Sequence, residues 1–580
     1  MVARGVSVKA VRVAALQFAV GTDLAKNQAK ALEMIDQAAL SRPDLMVLPE
    51  FANHASWYRD GEHCYQVSLS LDGPFINAVA AKALAAQCYI VLNVTLQREG
   101  NTCTGSSILF DRRGEILAVS DKQVLMGHEN DYLTKAVQVT PVVETDIGRI
   151  GLYACMDGVI AETPRSLALR GAQILCNSLN SFAVDEASLH VPVRAAENKV
   201  FVVAANKVGS LIPEDQLGLV SQFTHIPQHY LYGAGESQVV APDGTVIARA
   251  SLANEEVLVV DIDPRWADDK SRPDGNSIFA HGRPELYQAL AEAPRPITHL
   301  AHSRPMRVAC WQGRSVGLEA IAELVAALPE LDRRHDLLVL PELFFVPNIN
   351  QLVYGEAFEL SQMALVALRA ALVPLRIHVA ASFLEGGPDR LQHRGLLLHR
   401  GQMLLAQGQL HDSKRYTDRI ELGQRIEIAD TAFGRIGLVV GEDAIYPEVF
   451  RLLAMAGVDL VAISGHVQER WELDTGLLER AAENRLCLAF ASRPHSVGAS
   501  LLADLEEDFT LMTQWRERIF DGKINMPKIR LAPRFPGTCS AELHLERARN
   551  KVISSRTHLL NDRPWHLPLA AWHAFLPKTL

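Results

Sequence analysis

The chain has 580 residues, of which 48% are hydrophobic and 21% charged, an ordinary globular balance with length enough for several domains. Its net charge of −10 argues against a nucleic-acid partner, for which a basic face is the usual signature. Eight cysteines with no CxxC spacing read as neither a disulfide framework nor a zinc site and fit a reducing, cytoplasmic setting. No apolar run reaches the ~18–20 residues of a membrane helix, and the N-terminus lacks the apolar core and cleavage site of a secretory signal.

Residues 11–17 form an apolar, β-branched run and predict a strand. Residues 27–41 carry helical spacing through Ala29, Leu32, Ile35, Ala38 and Ala39. The short apolar run 45–48 suits a strand covered on both faces. A helix is predicted over 78–87 and a strand over 89–94. Residues 107–110 and 115–119 flank an Arg-Arg-Gly turn and predict a hairpin. Then come a strand at 149–154, a helix at 162–170, and strands at 174–177 and 200–205. A second hairpin, 237–241 with 245–248, closes on Pro-Asp-Gly, a turn-forming tripeptide. Alternating strands and helices point to a layered α/β domain with helices outside a sheet core.

The pattern occurs twice. DLMVLPEF at 44–51 returns as DLLVLPEL at 336–343, GRIGL at 148–152 returns at 434–438, and RAAEN at 194–198 returns at 480–484. The offsets are 336−44=292, 434−148=286 and 480−194=286. Such long-period similarity marks repeated units. The expected organisation is a first domain at 8–291, a linker at 292–305 that carries three prolines, and a second domain at 306–580.

Four residues of the first copy are candidates for chemistry. Cys155 ends a strand and precedes a helix, where it is presented to a substrate and where helix N–H groups favour a thiolate; a buried core cysteine is the plainer reading, and Cys176 has a similar setting. Glu50 follows a buried strand, where burial raises the pKa and suits a base; a solvated strand end would look the same. Lys122 can donate to a developing oxyanion, or be a surface lysine. Glu129 lies seven positions after Lys122. A common offset of 292 pairs Glu50 with Glu342, Lys122 with Lys414 and Glu129 with Glu421, whereas Cys155, at offset 286, falls on Gly441. The second copy is therefore expected to keep the two glutamates and the lysine and to lack the thiol. His54, His63 and His128 lie close in sequence and stay outside the candidate catalytic set.

The order and spacing of Pro-Glu at 49–50, Lys122, Cys-Met-Asp at 155–157 and RAAEN resemble the nitrilase superfamily of carbon–nitrogen hydrolases, and the resemblance extends over both copies. GRIG before Cys155, Glu162 and Arg165 after it, Pro-Asp-Gly at 242–244 and RPELY at 283–287 are further matching pieces. The resemblance implies an αββα sandwich for each copy and a Glu–Lys–Cys catalytic set. Cys155 would be the nucleophile, Glu50 the general base, Lys122 the oxyanion donor together with a backbone N–H after the cysteine, and Glu129 a second glutamate orienting lysine and substrate. No metal or organic cofactor is implied. Met156 and Ala161 depart from the residues common at their positions. Asp157 resembles amidases and carbamoylases more than true nitrilases.

The function so implied is hydrolysis of a linear amide or N-carbamoyl compound through a thioester, releasing ammonia or an amine. A nitrilase, an amide-forming acyltransferase and a non-catalytic scaffold are the alternatives. The second copy, a pseudo-active site, is expected to pack on the first as an internal pseudo-dimer, with a further homo-oligomer open, a small amide-type substrate as partner, and no nucleic acid or membrane.

Overall fold

The computed structural model describes residues 10–136, 138–298, 300, 304–387, 390–415 and 420–575. The chain divides into two compact units, and neither is contiguous. The first comprises residues up to Lys270 with Asp508–Ile524 and the stretch from Val552 onward; the second comprises Ser271–Glu507 and Asn525–Lys551. Residues 271–291, assigned from the sequence to the first domain, thus belong with the second unit, and two stretches of the C-terminal half belong with the first. Within the expected linker, residues 299 and 301–303 lie outside the described residues.

Twelve strands build the two large sheets of the first unit: β1 (Val11–Gln17), β2 (Leu45–Val47), β3 (Tyr89–Arg98), β4 (Thr102–Phe110), β5 (Ile116–Asp121), β6 (Val142–Thr145), β7 (Gly148–Ala154), β8 (Ile174–Ser178), β9 (Phe201–Ala205), β10 (Gln238–Val240), β11 (Val246–Arg249) and β12 (Glu256–Ile262). They form two six-stranded sheets, ordered β12-β1-β2-β3-β4-β5 and β11-β10-β9-β8-β7-β6. In each sheet three central strands run parallel, β1-β2-β3 and β7-β8-β9, and the outer strands are antiparallel.

The period of two in β1 shows how the layers arise. Val13 and Ala15 join Leu45, Val47, Ile150, Leu152 and Cys176 in the core between the sheets. Ala14 and Leu16 point the other way and pack on Met34, Ile35 and Ala38 of the helix Leu24–Ala39 and on Phe75 and Val79 of the helix Pro74–Ala86. Asp23 caps the first of these helices by accepting the Ala25 and Lys26 amides at 3.0 and 3.1 Å. Pro74 opens the second, where its missing N–H costs nothing. The helix Glu162–Leu169 covers the other sheet, which completes an αββα sandwich.

The second unit repeats this order strand for strand: β13 (Met306–Gln312), β14 (Leu337–Val339), β15 (His378–Gly387), β16 (Arg390–His399), β17 (Gln402–Gly408), β18 (Ile428–Thr431), β19 (Gly434–Val440), β20 (Leu460–Ser464), β21 (Cys487–Ala491), β22 (Leu501–Asp504), β23 (Lys528–Leu531) and β24 (Gly537–Leu543). Its sheets read β24-β13-β14-β15-β16-β17 and β18-β19-β20-β21-β22-β23. No helix among the described residues is long and apolar enough to cross a membrane.

Candidate active site

Glu50 stands three residues beyond β2. The chain there is held from both sheets: the Leu48 amide donates to the Val91 carbonyl at 3.0 Å, the Glu50 amide to the Leu179 carbonyl at 3.1 Å, and Ser178 Oγ to the Leu48 carbonyl at 2.8 Å. Phe51 takes a left-handed φ of 50°, with its amide bound by Asn93 Oδ1 at 2.9 Å. This turn drives the Glu50 carboxylate into a fully buried position. Burial pushes its pKa up, against the opposing pull of Lys122.

Lys122 leaves the end of β5, its amide bound to the Gly105 carbonyl at 2.8 Å. Its Nζ lies 2.8 Å from Glu50 Oε1 and 2.9 and 2.8 Å from the two oxygens of Glu129. Burial disfavours the ammonium, but Glu129 and Glu50 outweigh it and hold the pKa well above the ordinary lysine value. Glu129 opens the short helix Glu129–Tyr132 and also accepts the Met126 amide at 2.9 Å. Glu50, Lys122 and Glu129 are thus one buried ion cluster.

Cys155 follows β7 with φ 48° and ψ −109°, a conformation that costs a non-glycine residue energy and is kept where the surroundings enforce it. Here the Cys155 amide donates to the Ser178 carbonyl at 3.0 Å and to Asn177 Oδ1 at 3.1 Å. Cys155 is the one partly exposed cysteine among eight free ones; the others, Cys176 included, are buried. Burial and then Glu50 push the thiol well above its ordinary pKa, while Lys122 pulls it down. The balance differs from the sequence expectation of a helix-stabilised thiolate. The helix directly after Cys155 is only Met156–Val159, and crowding by protein decides the outcome. Glu50 and Lys122 thus act on the thiol in opposite directions.

Two further residues fix this arrangement. Asp157 accepts the Gln123 and Val124 amides at 3.0 and 2.8 Å, tying the cysteine turn to the lysine loop, and burial pushes its pKa to about 7. Arg194, first residue of the RAAEN motif, donates to the Gly158 and Val159 carbonyls at 2.7 and 3.0 Å and binds Glu197 at 2.5 Å. The motif is a brace under the turn that follows Cys155. Of the nearby histidines, His54 is buried, with Nδ1 2.6 Å from the Ala55 carbonyl, and His128 is exposed beside Asp131.

Lys207 was not singled out by the sequence reading. It is buried just past β9, its ammonium 6.0 Å from the centre of the Phe51 ring, with Lys122 5.5 Å from the same ring. Burial pushes its pKa down to about 7, with Glu50, Cys155 and Glu129 pulling upward. A usable signal was present: a lysine immediately after a buried strand, matched at offset 286 by Arg493.

The second sandwich corrects the expected pairing. Asp443 accepts the Leu410 and His411 amides as Asp157 accepts those of Gln123 and Val124. The Gln409 amide binds the His393 carbonyl at 2.8 Å, as Lys122 binds Gly105, and the Gln409 carbonyl accepts the Gly423 amide as Lys122 accepts Ala136. The counterpart of Lys122 is therefore Gln409. Lys414 is exposed, and Glu421 matches Thr134, since their amides bind the Leu391 and Cys103 carbonyls. Glu342 is buried in the place of Glu50, with its pKa pushed up to about 7 by burial. Arg415 bridges it, at 3.3 Å, to Glu442, at 2.6 Å. Gly441 keeps the left-handed φ of 54° found at Cys155. The space a thiol would need is filled: a Cβ there would lie 2.7 Å from Glu342 Oε1 and 3.3 Å from Gln409 Oε1. A cavity of about 710 Å³ remains nearby, lined by Arg415, His466, Arg493 and His495 among others.

Residues 12–270 and 307–534 match the family model for carbon–nitrogen hydrolases. Similar proteins include a nitrilase from Pyrococcus abyssi, 27% identical over 45% of this chain and 93% of the relative. An N-carbamoylputrescine amidase from Solanum tuberosum is 26% identical over 48% of this chain and 94% of the relative. Among solved structures, an amidase from Nesterenkonia sp. AN1 in complex with butyramide aligns at 22% identity with a TM-score of 0.38, covering 45% of this chain and 93% of that one. With both copies matched, the chain belongs to the carbon–nitrogen hydrolase family.

Proposed function

We propose that the first sandwich hydrolyses a linear amide or N-carbamoyl compound through a thioester on Cys155. The observation that carries this reading is the buried Lys122 ammonium held between Glu50 and Glu129, within electrostatic reach of a strained, partly accessible cysteine. Relatives named as amidases support the reaction class.

On this reading Glu50 takes the Cys155 proton as sulfur bonds to the acyl carbon. The carbonyl π electrons move to oxygen, where Lys122 Nζ and the Met156 N–H meet the new charge. Collapse restores the carbonyl and breaks the C–N bond, and the proton on Glu50 goes to the departing nitrogen. Glu50 then takes a proton from water, whose oxygen attacks the thioester. The second collapse expels the thiolate, which recovers its proton from Glu50, and the acid leaves. A covalent nucleophile divides one difficult substitution into two easier ones. Glu129 keeps Lys122 charged and aimed.

A panel of amides, N-carbamoyl compounds and nitriles assayed for ammonia release, with mass spectrometry of quenched protein, tests the proposal. Acyl mass should appear on Cys155 during turnover and vanish in C155A along with ammonia release. Turnover by C155A at a near-normal rate would overturn it.

A further inference from the structure

The first sandwich buries a second cation beside the reacting groups, and its surroundings differ from those of Lys122, the half-buried Lys270 and the buried Lys551. Lys270 gives its ammonium to the Asn198 and Lys199 carbonyls at 3.0 and 2.7 Å. Lys551 does the same with the Asn484 and Arg485 carbonyls at 2.7 and 2.8 Å. Lys122 has two carboxylates. Lys207 is 1% exposed, yet among the described residues its Nζ has no carboxylate or carbonyl within hydrogen-bonding distance. The face of Phe51 lies 6.0 Å away to the ring centre, a weak substitute for water around an ammonium.

The position is nonetheless rigid. Asn206 accepts the Ser181 and Lys207 amides at 3.0 and 2.9 Å and donates to the Ser181 and Gly235 carbonyls at 3.1 and 3.0 Å. The start of the Lys207 side chain is fixed, and its three donors stay open. The groups that act on it electrostatically are Glu50, Cys155 and Glu129, so it belongs to the same site.

The second sandwich keeps a cation at this point. Ser178 pairs with Ala205 and Ser464 with Ala491, which puts Arg493 in the place of Lys207. There the thiol and the Lys122 amine are replaced by Gly441 and Gln409, and Arg493 still lines the 710 Å³ cavity. A cation that persists without the nucleophile serves binding rather than bond breaking.

We infer that Lys207 selects substrates carrying an anionic group, a carboxylate above all, close to the scissile C–N bond. A carboxylate docked on Nζ completes the missing hydrogen bonds of a buried ammonium, and a neutral substrate leaves it unsatisfied. This rests on Cys155 as the nucleophile proposed above, so the test reads the thiol directly and needs no substrate.

Alkylation of Cys155 by iodoacetate and by iodoacetamide, followed by peptide mass spectrometry on the full-length protein, compares an anionic and a neutral reagent of nearly equal size. Changes in thiol ionisation affect both reagents and cancel in the ratio of their rates. K207M should lower the iodoacetate-to-iodoacetamide ratio by about tenfold, the weight of one hydrogen bond to a charged group, and K207R should keep the wild-type ratio. Unlabelled Cys176 reports that each variant is folded. A ratio unchanged in K207M would overturn the inference and leave the nucleophile intact. Cys155 inert to both reagents in the folded wild type would defeat the nucleophile assignment, and this inference with it.

Discussion

Gln409 occupies in the second sandwich the place that Lys122 occupies in the first, each with its amide on the carbonyl of the neighbouring strand, Gly105 or His393. The substitution changes the electrostatics of the whole site. With no ammonium there, the buried Glu342 carboxylate is compensated by Arg415, which also serves Glu442. The second sandwich has neither the thiol nor the lysine ammonium of the first, and the Arg415 guanidinium lies beside the buried carboxylate instead.

Restoring the thiol alone should therefore fail. In a C155A background G441C is expected to show no ammonia release, because the added Cβ lies 2.7 Å from Glu342 Oε1 and no lysine faces it. The clash should also cost about 1–3 kcal/mol, the usual penalty of overpacking, seen as a lower melting temperature. Turnover recovered by G441C alone would mean that Arg415 can take the role of Lys122.

In the first sandwich, K122M removes the charge between two buried carboxylates 2.8 Å away on either side. Leaving buried charge uncompensated costs about 3–5 kcal/mol, and losing one oxyanion donor costs about 10²–10³ in kcat. Both effects should appear, in a thermal melt and in ammonia release. Adding E129Q should recover much of the stability and none of the rate. Recovery of both together would assign Lys122 a purely structural role.

Glu342 gives a pH signature. Burial raises its folded pKa to about 7, above its ordinary 4.5, so the folded state holds this proton more tightly than the unfolded chain. The associated stability is present below about pH 4.5 and is lost as pH rises towards 7. E342Q lacks this titration. Its melting temperature relative to wild type should rise between pH 5 and pH 8, by a stability difference on the order of 3 kcal/mol. A constant difference across that window would show that Arg415 holds Glu342 ionised throughout.

Much of the fold and part of the site were legible in the residues. The period-two runs located the central strands, and the repeated GRIGL and RAAEN fell on β7 and β19 and on the braces formed by Arg194 and Arg480. Carrying the offset of 292 forward from Glu50 misplaced the lysine pair. The structural offset falls to 378−89=289 at the start of β3 and to 409−122=287 at Lys122, because the loops shorten step by step. A lysine and a glutamate that happened to keep the spacing of seven then looked equivalent. Lys207 was missed because its significance lies in what does not surround it. The discontinuous units were invisible because apolar periodicity shows that a segment is buried and leaves open against what.

That last point bears on truncation. The turn bearing Cys155 does not complete its core from the first 270 residues. Val124, Met156, Val159 and Ile160 pack in one cluster with Phe509, Trp515, Phe520, Ile553 and Leu559. The Gly127 amide binds Thr557 Oγ1 at 2.8 Å, the Trp515 amide binds the Thr224 carbonyl at 3.0 Å, and the Ile524 amide binds Asp185 at 2.9 Å. Trp572, with no exposed surface, lies under Arg165, 5.3 Å from ring centre to guanidinium carbon. A chain ending near residue 300 exposes this apolar surface next to the lysine loop and the Cys155 turn. Such a fragment should be insoluble or lack ammonia release and Cys155 labelling. W572A in the full chain should cost about 3–5 kcal/mol, as for other fully buried tryptophans, with a matching fall in melting temperature. A soluble fragment of residues 1–300 with full turnover would show instead that the segments 508–524 and 552–575 cover the first sandwich without supporting it.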